Sequence, residues 1–282
     1  MKKLNILQIN SSKTWAGGET HIKDLIKGLS ERNHNIFLAV RSQIAGNFED
    51  MDVNLKVLPL KNSIDFYSVW KLAKIIKKNK IDIIHVHNGK DYWLAVLAQY
   101  FAGRAKIVAT RHIVKPLGNS FLHKKMFAKI DQFIAVSKKV KDNLIKENNV
   151  SPEKIKVIYN GMDLSNYNNI NSEYLYSELN IKKDNFIIGS VGTLCNRKNQ
   201  KLLIDIAKKI ELDNIKFIIV GQDFSDKKDY KTKLLNKISQ NNLEDKFIMT
   251  GYRNDIPELM NFFDLLVVPS KSEAFGLVAI EA

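Results

Sequence analysis

Short runs rich in Ile, Leu, Val and Phe punctuate the first half of the chain. They fall at residues 4–9, 35–40, 53–58, 81–87, 106–110, 132–136 and 155–159, and each reads as a strand. Between them, apolar residues recur three and four apart. Ile22, Leu25, Ile26 and Leu29 share one face of a predicted helix over 19–30. Val69, Leu72, Ile75 and Ile76 do the same over 66–78, with Lys71, Lys74, Lys77 and Lys78 on the opposite, solvated face. Further helices are expected over 92–101, 117–130 and 138–147, the last with Ser137 as its N-cap. Strands that are apolar almost throughout are strands buried on both faces. The pattern therefore predicts a parallel sheet sandwiched by helices.

Asn160-Gly161 is a strong turn signal, and Met162-Asp163 follow it. The pattern then restarts, with strands at 185–192, 215–221, 246–250 and 264–269. Helices are expected to open after Thr193, over 230–241, over 258–263 and from near Gly276. The reading is α/β: two Rossmann-like parallel-sheet domains, residues 1–163 and 164–282, facing across a cleft where a ligand could be clamped. A length of 282 residues suits two domains.

An apolar fraction of 45% supports packed cores. Cys195 is the single cysteine, which rules out an internal disulfide and fits a reducing compartment. No run of about 18 apolar residues is present, so no membrane-crossing helix is expected. Charge is uneven. Residues 1–150 carry 26 Lys and Arg against 12 Asp and Glu, whereas residues 151–282 carry 18 of each, so the whole net charge of +14 lies in the first half. A one-sided basic domain suits an anionic partner such as a membrane surface. The basic, amphipathic 117–130 segment, with Lys124, Lys125 and Lys129, could rest on an anionic bilayer or pack its apolar stripe on the sheet.

Candidate chemistry gathers at strand ends, where open parallel sheets bind ligands. Gly17-Gly18 follow the first strand and permit close backbone approach. His85 and His87 alternate along their strand and point to one face. They could suggest a metal, but no third ligand stands nearby in the sequence. His112 follows the strand at 106–110. Arg197 and Lys198 lie at a strand-to-helix turn, where cations can neutralise a pyrophosphate. At the end of the chain Glu273 and Glu281 stand eight apart around Phe275-Gly276-Leu277, after an apolar run (264–269) read as a buried strand. A helix starting near Gly276 would aim free N–H groups back toward Glu273. Asp50-Met51-Asp52 spells D-x-D, but in a polar loop with no buried strand leading into it, and is read as chance.

Glu273 and Glu281 with their Phe-Gly-Leu spacer resemble the E-x7-E motif of retaining glycosyltransferases of the GT-B fold, especially family 4. The other matches come in family order. Gly17-Gly18, with Glu19 followed by Thr20, resembles the GG-x-E loop. His112 resembles the histidine of T-x-H, and residues 160–163 resemble N-G-x-D. Lys198 resembles the lysine of G-R-L-x-x-x-K-G, although Thr193 replaces its arginine and Asn199 its second glycine. The resemblance implies a sugar moved from a nucleotide-sugar to a hydroxyl of a cell-envelope glycan or lipid-linked acceptor, with no obligatory metal and no other cofactor. It implies that Glu273, Lys198 and His112 serve catalysis. Gly17, Gly18, Arg197, Phe275, Gly276, Leu277 and Glu281 would contact the donor, and Tyr252 lies where the family cradles the base. A cytoplasmic, peripheral enzyme at the inner face of a membrane is expected. Family members continue beyond the second glutamate, so the second domain is expected to be incomplete, and a silent nucleotide-sugar-binding fragment is the alternative reading. The missing G-x-G-x-x-G argues against a nucleotide-dependent oxidoreductase. No basic strand interleaved with aromatics appears, so no nucleic-acid partner is expected.

Overall fold

A computed structural model describes residues 2–163, 167, 170–225 and 227–282. The chain divides into two compact units, Met1–Met162 and Asp163–Ala282.

The first unit is built on strands β1 (Asn5–Asn10), β2 (Asn35–Val40), β3 (Asn54–Val57), β4 (Ile83–Val86), β5 (Lys106–Arg111), β6 (Gln132–Ala135) and β7 (Ile155–Val157). They form one sheet in the order β3-β2-β1-β4-β5-β6-β7, and every pairing is parallel. Its helices are α1 (Gly17–Glu31), α2 (Ser42–Ala45), α3 (Phe66–Lys78), α4 (Gly89–Ala102), α5 (Phe121–Lys129) and α6 (Lys138–Asn148). Right-handed crossovers put α1 and α2 on one face and α3 to α6 on the other. On the first face, Ile22, Ile26 and Ile44 pack with Ile6, Ile36, Leu38 and Val40. The chain reverses direction across the sheet between β1 and β4, where a doubly wound sheet leaves its crevice.

Helix starts follow their capping chemistry. Asp65 accepts the Ser68 N–H at the start of α3, and Ser137 accepts the Val140 N–H at the start of α6. Helix α5 begins at Phe121 rather than 117, because Ser120 caps it by accepting the His123 N–H.

The second unit carries β8 (Phe186–Val191), β9 (Ile215–Val220), β10 (Phe247–Gly251) and β11 (Leu265–Leu266), in the parallel order β10-β9-β8-β11. Helices α7 (Tyr174–Glu178), α8 (Lys201–Ala207), α9 (Asp229–Ser239), α10 (Ile256–Phe262) and α11 (Val278–Glu281) accompany it. One core packs α8 and α9 against the sheet through Leu203, Ile204, Leu234 and Ile238, and the other packs α7 and α10 through Leu175, Leu259 and Phe262. Here the winding reverses between β8 and β11.

Three expectations need correction. The 264–269 run gives only a two-residue strand at the sheet edge, with Leu265 47% exposed, so it is not a buried strand. The helix after Gly276 begins at Val278, because Gly276 sits in left-handed backbone at φ +84. Helix α8 begins at Lys201, leaving Arg197 and Lys198 in the loop before it. The short helices α2 and α7 carry too few apolar repeats to be seen in the sequence pattern.

Candidate active site

The loops after β8 and β11 leave adjacent strands at the switch point of the second unit, and side chains tie them together. Asn199 donates to the Pro269 carbonyl at 3.1 Å, Lys271 N–H to the Arg197 carbonyl at 2.9 Å, and Arg197 to the Ser272 carbonyl at 3.2 Å. Asn199 stands where the resembling motif has glycine, and its backbone is left-handed at φ +57. Asparagine tolerates that conformation better than most residues, so the departure keeps the turn and adds a tether. Gly192, at φ +147, lies under this turn, and a Cβ there would sit 3.2 Å from the Lys198 Cε. Gly221, at φ +144, packs against it so closely that a Cβ would fall 2.0 Å from the Gly192 carbonyl oxygen.

These loops bring Lys198 to Glu273. The Lys198 ammonium donates to one carboxylate oxygen at 2.7 Å, and Arg197 reaches the other at 3.4 Å. Partial burial pushes the Glu273 carboxyl up, but the Lys198 hydrogen bond and the two cationic charges outweigh it and hold it below the usual carboxylate range. Glu281 is close enough to Lys198 to feel its charge. Burial nevertheless dominates and raises its pKa. The two glutamates of the motif thus flank one lysine, with opposite shifts. Gly276 lies beside Glu273, at 3.9 Å from a built Cβ to the Glu273 Cβ. Phe275 and Leu277 are half-buried in the same turn, and Tyr252 follows β10 with its ring half-exposed.

The other predicted residues lie in the first unit. Gly17 opens α1, and Gly18 has open space on its Cβ side. Glu19 directly follows them, buried, accepting from the Asn10 amide at 3.1 Å and the Ala16 N–H at 3.1 Å. At the reversal point Asn88 donates to Asn10 at 2.6 Å, and Ser11 N–H donates to buried Asp91 at 3.2 Å. Burial pushes the Asp91 carboxyl up to about 6.

His112 belongs to a group of four histidines. Its ring stacks on His87 at 5.6 Å between centroids and meets His21 edge-on at 5.0 Å, while His85 and His87 are 4.3 Å apart. His87 is held from both sides: Nε2 is 2.8 Å from the Gln8 side-chain oxygen, and Nδ1 is 3.3 Å from His112 Nε2. His85 Nε2 is 2.7 Å from the Thr110 hydroxyl. Burial, with the neighbouring rings second, lowers His85 and His112 to about 3 and His87 well below its ordinary value, so the cluster is neutral at pH 7. The sequence shows only the His85–His87 pair, and β5 and α1 bring His112 and His21 beside it across the sheet. Among the described residues, however, no group of three or more His, Cys, Asp or Glu is disposed to hold a metal ion. Asp50 of the D-x-D triplet is exposed and pairs with Lys23 at 3.1 Å.

Sequence reasoning missed Gln8, His21, Asp91 and Gly192. Gln8 and Asn10 interrupt an apolar strand, which was the one available signal.

A family model described as Glycosyltransferase Family 4 matches residues 15–166, and one described as Glycosyl transferases group 1 matches residues 173–282. The chain belongs to glycosyltransferase family 4. Its fold is GT-B, as its solved neighbours also indicate. A Rickettsia africae glycosyltransferase superposes with a TM-score of 0.88 at 24% identity, over 100% of this chain and 77% of that one. Anabaena HepE, solved in complex with UDP-glucose, superposes at 0.84 and 24%, over 99% and 78%. Among curated relatives is the Escherichia coli UDP-Gal:alpha-D-GlcNAc-diphosphoundecaprenol alpha-1,3-galactosyltransferase, 32% identical over 77% of this chain. Another is a Campylobacter jejuni N-acetylgalactosaminyltransferase whose named acceptor is also a diphospho-undecaprenol, 28% identical over 75%. The chain spans 59% and 58% of the lengths of these two family members.

Proposed function

We propose that this family member is a retaining transferase that moves a sugar from a nucleoside-diphosphate sugar to a hydroxyl of a lipid-linked or cell-envelope glycan acceptor. The observation that carries the reading is the Lys198–Glu273 contact of 2.7 Å at the switch point of the second unit. An ammonium held by a carboxylate, with a guanidinium beside it, is a preset cationic clamp for a diphosphate. The names of the relatives support a UDP-sugar donor and a polyprenyl-diphosphate-linked acceptor.

In this reading Lys198 and Arg197 neutralise the leaving diphosphate, and Glu273 fixes the lysine and meets the donor sugar. Glu281 accepts from the ribose hydroxyls, and the Gly276-Leu277 backbone approaches the sugar and phosphates. Phe275 and Tyr252 serve the nucleoside side. In the first unit His112, neutral and able to donate or accept, and the Gly17-Gly18 backbone offer hydrogen bonds to sugar hydroxyls. The C1–phosphate bond breaks while the acceptor oxygen bonds C1 on the same face. The acceptor proton passes to the departing phosphate oxygen, so charge and atoms balance without a protein nucleophile. The residues named supply these roles with no metal. Peripheral association with a membrane follows from the lipid-linked acceptor.

The test is transfer and hydrolysis from a panel of UDP-, GDP- and ADP-sugars, run beside Glu273→Ala. Turnover of one donor, lost in the variant, supports the reading. Nucleotide binding without any turnover would leave a silent binding protein in its place.

A further inference from the structure

Helix α3 does not hide its aromatic residues. Its buried side takes Val69, Leu72, Ala73 and Ile76, whereas Phe66 is 71% exposed, Tyr67 55% and Trp70 50%. The lysines on the same side bend back over these rings. Lys74 Nζ stands 3.7 Å from the Trp70 ring centroid, and Lys71 Nζ stands 5.3 Å from Trp70 and 5.5 Å from Tyr67. The start of α5 repeats the arrangement, with Phe121 68% and Leu122 63% exposed and Lys125 Nζ 4.5 Å from the Phe121 ring. Helix α3 packs on α4 and α4 on α5, so both clusters belong to one helical layer. Each sits where its helix begins, which in a parallel sheet is the strand C-terminal end that also carries the histidine cluster.

Single exposed apolar residues are ordinary, but two groups of large ones, each roofed by ammonium groups, are not. Rings flanked by lysine suit a headgroup boundary, where the ring enters the acyl edge and the ammonium meets phosphate. The geometry points to the rim formed by the starts of α3 and α5 as the surface that docks this unit on an anionic lipid bilayer. The 14-charge excess of the first half of the sequence supplies the complementary field. The inference rests on the proposed lipid-linked acceptor, and it gives the aromatic face of α3 the larger part, not the 124–129 lysines alone.

The test is sedimentation of the full chain with vesicles of phosphatidylcholine, with and without phosphatidylglycerol, free of any acceptor. UDP binding is measured in parallel. Phe66→Ser/Trp70→Ser, Phe121→Ser/Leu122→Ser and Lys71→Gln/Lys74→Gln change only surface residues, and unchanged melting temperatures check that each folds. The wild type is expected to bind the anionic vesicles only. The α3 aromatic pair should lose at least about tenfold in affinity, and the lysine pair about fivefold per charge removed. UDP binding stays unchanged in all variants. Equal vesicle binding by the rim variants would overturn the assignment, as would a wild type that ignores vesicles. So would a concentration-dependent dimer lost in Phe66→Ser/Trp70→Ser, which would assign the face to a second copy. Loss of UDP binding in the wild type would count against the transferase reading and leave the vesicle result standing.

Discussion

The two units solve the same topological problem with opposite chemistry. Each is a parallel sheet whose winding reverses at one point, between β1 and β4 in the first unit and between β8 and β11 in the second. At the first reversal and on the strands beside it the side chains are buried or half-buried and mostly neutral: His85, His87, His112, Gln8, Asn10 and Asn88. At the second they are ionised and partly solvated: Arg197, Lys198 and Glu273. The fold provides the crevice, and only the side chains decide what each crevice can hold. Neutral imidazoles suit hydroxyl groups, and an ion-paired lysine suits a diphosphate.

Acid should break the first region before the second. Unfolded histidines bind protons below about pH 6.5, and the buried ones do not until about pH 3, so the unfolded chain binds more protons and stability falls as pH falls through that window. By pH 5 this amounts to about 2 kcal/mol for each of His85 and His112. Asp91 runs the other way, because its raised pKa favours the fold at low pH and loses that contribution as pH rises through about 6. It offsets a part of the loss. All three tryptophans, Trp15, Trp70 and Trp93, lie in the first unit, so fluorescence melting reads that unit. The expected fall from pH 7 to pH 5 is about 5–10 °C. Glu273, with its lowered pKa, loses stability only below about pH 4.5.

Removing the clamp sharpens the contrast next. Lys198→Ala should lower turnover by about 10²–10³, as losing a preset electrostatic contact to a developing anion does. Steady-state kinetics on the preferred donor would measure it. Gly221→Ala should destabilise the second unit by about 3 kcal/mol in urea unfolding. Its Cβ would enter the Gly192 carbonyl, and its φ of +144 disfavours any side chain. His87→Phe keeps a ring but loses the bond to Gln8 that holds this position and the bond to His112 that orients that ring. About tenfold lower kcat is expected, with UDP affinity unchanged because the clamp lies in the other unit. Asp50→Asn is the smallest change. It removes an exposed, solvent-screened pair with Lys23 and should leave the melting temperature unchanged, with activity intact. A large loss of activity there would revive the D-x-D reading.

The strands and long helices were legible because their apolar spacing has a period. Residues 35–40 and 66–78 read from the sequence coincide with β2 and α3 to the residue. Lys198, Glu273 and Glu281 could be named from motif spacing, but their pairing could not. It depends on β8 and β11 lying side by side, although their loops are separated by about seventy positions in the chain. The histidine cluster was half visible: alternation placed His85 beside His87, whereas His112 and His21 arrive from β5 and α1. The lysines of α3 read as a plain solvated face, because helical periodicity assigns the buried stripe and leaves open what Phe66, Tyr67 and Trp70 do on the other side. Asn199 looked like a fault in the lysine motif until its left-handed backbone and its bond to Pro269 showed it doing the work of glycine.

Calorimetric titration of UDP into the wild type and into Lys198→Ala, both at pH 7, tests the central assignment most directly. The account predicts a single site in the wild type and an affinity at least about tenfold weaker in the variant, the equivalent of one charge-assisted hydrogen bond. Equal affinities in the two proteins, or no binding by the wild type, would contradict the placement of the diphosphate at Lys198 and Glu273.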